Sequence, residues 1–185
     1  MDIGAEECAV KKHGPFSAEL VVAGRRRKLL RGASTGLAAR VLGHDDLFVV
    51  VLKGHYELER LLNEVLLSGR ESRQGHLEAM DLRWSQKLEL AIYLGRVSGS
   101  LGPAMRKLNS IRNDLAHGLE AELTPKHEHE LWTAFPLALR QELVKAWNEI
   151  DEAPFDEGKP GSRLKLATAG LAMALAGVLD ESGIH

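Results

Sequence analysis

Cysteine is almost absent from this chain. Cys8 is the only one in 185 residues, which excludes a disulfide framework and a cysteine-built zinc site and makes a reducing cytoplasm the expected compartment. A secretory signal is missing as well: the first apolar run, "FSAELVVAG", is short and follows charged residues. Long hydrophobic runs are scarce. In the most apolar segment, Leu164 to Asp180, only Leu166 to Leu179 is uncharged, about 14 residues and too few to span a bilayer. A buried helix packed closely through Ala169, Gly170, Met173, Ala174 and Gly177 is expected there, with no membrane partner. Strand signals are lacking, with no alternating run and no Asn-Gly turn between apolar segments. No GxGxxG or GxxxxGK[ST] stretch is present, so a nucleotide-binding fold is unsupported.

Charge of one sign is also lacking overall, at −2, but it is unevenly spread. Residues 1–43 hold eight Lys/Arg against four acids, a local +4 that leaves −6 for the remainder. A basic arm on an acidic body is a candidate nucleic-acid contact, with Arg25, Arg26, Arg27 and Lys28 as its RNA-binding residues. A solvated leader is the alternative. The arm has no clear period, apart from one short helix expected within Gly36 to Leu42.

Two regions follow: the irregular arm, 1–43, and a helical domain, 44–185. In the domain, "HDDLFVVVLKGHYELERLLNEVLLSG" carries apolar residues at helical spacing, at Val50, Val51, Gly54, Leu58, Leu61, Leu62 and Val65. Asp45 or Asp46 can cap its start and Gly69 its end. A second helix reads "LRWSQKLELAIYLGRV", with Leu82, Leu88, Ala91, Ile92 and Tyr93 as packing residues. A third begins at Pro103, which suits a first turn, buries Met105, Leu108, Ile111, Leu115 and Ala116, and stops at Gly118. Thr124 and Pro125 open a fourth, split at Pro136, and a last helix runs from about Arg163 to Asp180. The expected fold is an all-α antiparallel bundle of about five helices, with Trp84, Trp132 and Trp147 as core or interface anchors.

The third helix ends in "IRNDLAHG", an unusual density of functional groups. Arg112 and His117 are five residues apart, roughly 140° around a helix, so they do not share a face. Asn113 and His117 do share one, as do Asp114 and His117. Gly118 places His117 in the last turn, where helix carbonyls concentrate negative potential beside a side chain suited to moving protons near neutrality. Asn113 is able to orient that histidine, and Arg112 to hold a phosphate. Elsewhere, His127 and His129 in "KHEHELW" lack metal-ligand spacing and point to different sides of a helix. His55 and Glu59, and likewise Lys53 and Glu57, lie one turn apart; they are expected as surface ion pairs, or as projections into the cleft around the motif.

Arg112, Asn113 and His117 resemble the signature of the HEPN superfamily, an Arg followed four to six residues later by a His, with a polar residue often next to the Arg. The resemblance runs from about Leu47 to His117. "LRWSQKLELAIYLGRVSG" and "MRKLNSIRNDLAHG" are similar to the mannitol operon repressor (MtlR-like) branch. The resemblance implies a helical bundle that forms a homodimer with its two motifs facing one composite cleft. It also implies a metal-independent endoribonuclease, a toxin or defence component held by an antitoxin partner, in which Arg112, Asn113 and His117 are catalytic and no cofactor or metal takes part. The alternative within the same resemblance is a non-catalytic MtlR-like regulator acting through contacts with a partner protein, in which the motif locks helices together.

Overall fold

The computed structural model describes residues 44–67, 80–117, 122–150 and 154–181. Among these residues the chain is all-α, with six helices and no strand. The split at Pro136 is real, so the fourth helix counts as two. The basic arm, the short helix expected within 36–42 and the stop signals Gly69 and Gly118 lie outside the described residues.

Helix α1, Leu47–Leu67, starts where Asp46 Oδ1 accepts the backbone N–H of Phe48 at 2.8 Å, satisfying an amide that a helix start leaves without a partner. Every apolar position picked from its spacing is buried. Helix α2, Trp84–Tyr93, is shorter than the apolar pattern suggested. Gly95, at φ +66°, turns the chain, and the amides of Gly95 and Arg96 close back onto the carbonyls of Ile92 and Ala91. Leu88 and Ala91 pack inward as expected, but Tyr93 is 87% exposed, because it lies roughly 160° round the helix from Ala91. A 3-10 turn, Gly99–Leu101, capped by Ser98, leads into α3, Gly102–His117. Met105, Leu108, Ile111 and Leu115 are buried there, while Ala116 is exposed in the last turn.

Thr124 caps α4, Pro125–Thr133. Its Oγ1 accepts the amide of His127 at 3.4 Å, and His127 Nδ1 accepts the amide of Thr124 at 3.3 Å, so a histidine fills the place usually held by Glu in this reciprocal cap. Helix α5, Leu137–Ile150, follows Pro136, and α6, Ser162–Glu181, closes the bundle. By length and composition, Ser162–Leu179 is apolar enough to cross a membrane. Here it is packed within the bundle, lying chiefly on α1 and also touching α3, α4 and α5. Its small residues let neighbours come close: a side chain on Gly170 would meet Leu143 of α5 at 2.7 Å. All six helices contribute to one apolar core.

Candidate functional site

The apolar stripe of α3 faces the core, and this rotation sets where its polar residues emerge. Asn109 and Arg112, three apart, both come out half-buried on a flank of the helix. Across from them, the buried face of α1 carries two polar residues, Glu57 and His55, the latter only 6% exposed. Its Nε2 donates to Asn109 Oδ1 at 3.0 Å. From α2, the Trp84 ring lies against the imidazole, with centroids 5.3 Å apart and planes tilted by 30°. Three helices thus converge on one buried histidine.

Burial is the main reason His55 protonates less readily than a free histidine. The bond to Asn109 works against this, the positive charge of Arg112 adds to it, and the Glu59 carboxylate opposes it. Below this cluster, Glu59 is drawn across to α2, where Lys87 Nζ donates to it at 3.2 Å. The surface pairs expected one turn apart on α1 therefore do not form. His55 turns inward to Asn109, Glu57 is buried and binds Arg60 at 3.0 Å, and Lys53 reaches back to His44 at 2.8 Å. Arg60 also bridges to Glu64. Helix rotation explains the change: two polar residues, His55 and Glu57, lie inside a predominantly apolar face and must find partners on other elements or adjacent turns once the face is buried, while Lys53 stays exposed.

Arg112 itself is half-buried and has no carboxylate partner among the described residues. Its Nη1 donates to Asn113 Oδ1 at 3.2 Å. That bond differs from the expected role of Asn113, since its amide oxygen is turned to Arg112 and no hydrogen bond joins it to His117. His117 is exposed in the last turn of α3 and makes no hydrogen bond or ion pair among the described residues. Within one chain the motif therefore forms a short polar run, Arg112 to Asn113, with His117 standing apart from it. Asn109 was not visible from the motif, although its place one turn before Arg112 in "LNSIRND" puts it in the same helical stripe. The basic residues Arg25, Arg26, Arg27 and Lys28 lie outside the described residues.

The arrangement places a half-buried guanidinium, bonded to Asn113, near a histidine whose burial disfavours its charged form, with His117 exposed in the last turn of the same helix. Among the described residues no group of three His, Cys, Asp or Glu is placed to bind a metal ion. His127 is used in the α4 cap and His129 is exposed. Comparisons with protein-family models, with curated proteins and with solved structures return no match.

Proposed function

We propose that this chain is a metal-independent endoribonuclease of the HEPN type, cytoplasmic, acting as a homodimer and serving as a toxin or defence component restrained by an antitoxin. The observation that carries the reading is the state of Arg112 and His117. A half-buried guanidinium without a carboxylate is costly unless something else uses its charge. His117, exposed and without a hydrogen bond or ion pair among the described residues, locks nothing there. RNA supplies both the anion and the nucleophile. The ribose 2′-oxygen attacks the adjacent phosphorus, the bond to the 5′-oxygen breaks, and the products are a 2′,3′-cyclic phosphate and a 5′-hydroxyl. Arg112 stabilises the charge that builds on the phosphoryl oxygens. His117 moves the proton from the 2′-hydroxyl or to the leaving oxygen. Asn113, bonded to Arg112, orients the guanidinium rather than the histidine.

The test is cleavage of a broad RNA panel by purified wild type in EDTA, beside His117→Ala and Arg112→Lys. Cleavage in EDTA with cyclic-phosphate ends is expected. His117→Ala should abolish it with the helical fold intact, and Arg112→Lys should lose most of it, since an ammonium cannot reproduce the planar fork. Wild type that leaves every RNA uncut, with both variants destabilised, would overturn the proposal. The second reading, a non-catalytic MtlR-like regulator, is favoured by the apolar surface at Tyr93 and Leu94, which are 87% and 52% exposed side by side. Such a pair suits a protein partner, and the regulator would then be the outcome of a negative cleavage test.

A further inference from the structure

A second place in the fold holds unused cations. Between α4, α5 and the segment leading into α6 lies a cavity of about 490 Å³, within the range of small-molecule sites. Its apolar part is made by Trp132, Val144 and Leu137. Leu137 is 61% exposed in the chain alone, which leaves a large apolar side chain in water at the cavity mouth. Its polar part holds Arg140 and Lys145, from successive turns of α5.

Neither cation has a carboxylate partner among the described residues. Arg140 and Lys145 form no ion pair among the described residues, and the Nε of Arg140 is buried with no hydrogen-bond partner. That nitrogen is covered by the protein, so a ligand in the cavity would meet the rest of the Arg140 guanidinium, which lines the cavity with no carboxylate beside it among the described residues. Two acids line the cavity as well, each with a partner of its own: Glu157 is bound to Arg163 at 3.2 Å, and Glu149 is also engaged.

We infer that this cavity binds a small organic anion, a carboxylate or phosphate carried on a planar apolar ring. The ring would lie against Trp132 and Val144 and cover Leu137. The anionic head would lie against the guanidinium of Arg140 and the ammonium of Lys145, both of which line the cavity, a charge-assisted contact. The site is separate from Arg112 and His117, so it neither requires nor tests the ribonuclease reading.

Titration calorimetry on the full chain decides it, with phenyl phosphate, benzoate, inorganic phosphate and benzyl alcohol as probes. Saturable binding of at least one of the two aryl anions is expected, and which one binds identifies the head group. Inorganic phosphate and benzyl alcohol, each lacking half of the ligand, should bind much more weakly. Arg140→Gln should weaken the aryl anion roughly tenfold, the scale of one lost charge-assisted bond. Val144→Trp, which keeps both cations and fills the cavity, should abolish binding. Lys145→Gln, at an exposed position, is the variant least exposed to folding failure and should also weaken it. Circular dichroism and melting checks confirm that each variant is folded. No saturable binding of either aryl anion overturns the proposal. So does equal binding of inorganic phosphate, which would be surface charge alone, and so does wild-type affinity in the folded variants.

Discussion

The side chain that organises the α1–α2–α3 junction is His55, a residue whose neighbours in sequence gave little notice of it. It is held neutral chiefly by burial, so the folded chain binds a proton there less readily than the unfolded chain does. A histidine depressed in this way contributes its full stability above its ordinary value of 6.5. The contribution declines as pH falls through that value toward the lowered one, because the unfolded state gains the proton first. Urea midpoints measured downward from pH 6.5 should therefore fall. His55→Gln, which keeps a polar group facing Asn109 but cannot titrate, should flatten that decline. An unchanged slope in the variant would mean that the loss arises from other groups.

At the scale of elements, the joint between α4 and α6 rests on one carboxylate. Glu128 sits in the first turn of α4 and reaches across to the start of α6. There its two oxygens accept the amides of Gly161 at 3.1 Å and Arg163 at 2.9 Å. These are among the amides that the start of a helix leaves unbonded, and the negative charge also suits the positive end of the α6 dipole. Gly161 itself must be a glycine: its φ is +82°, and a side chain there would meet Leu47 at 2.6 Å. Glu128→Ala removes both bonds and the charge, and should cost about 1–2 kcal/mol in urea unfolding. Glu128→Gln keeps one acceptor and should lose less. Equal stability of both variants with wild type would show that water caps α6 just as well.

For the whole molecule, the proposal of a composite cleft requires two chains. His117 stands apart from Arg112 within one chain, so the proton-moving and phosphate-holding groups would come together most readily across a two-fold axis. Light scattering at micromolar concentration should give about 40 kDa, twice the 20.3 kDa chain. A monomer would remove the composite cleft. The basic arm makes a second forecast at this scale. If Arg25, Arg26, Arg27 and Lys28 hold RNA, affinity should fall steeply with added salt. Removing residues 1–43 should then weaken binding while leaving the melting of the helical domain largely unchanged. Equal binding by the truncated chain would reduce the arm to a leader.

The helices themselves were legible in the sequence, because helix formation is local. The period of Val50 to Val65, the proline and threonine at Thr124–Pro125 and the break at Pro136 depend on residues within a turn or two of each other. Their interpretation survived folding intact. The motif at Arg112–His117 was legible for the same reason, as was its place at a helix end. Partners were not. Which carboxylate Lys87 would hold, that His55 would face Asn109 rather than Glu59, that Asn113 would serve Arg112, and that the Nε of Arg140 would be buried without a partner among the described residues are all matters of how helices rotate against one another. That rotation is set by burying the apolar stripes of six helices together, a sum over contacts distant in sequence. Local pattern therefore determined the helices and marked the candidate residues, and only the tertiary packing decided which polar groups found partners among the described residues and which did not.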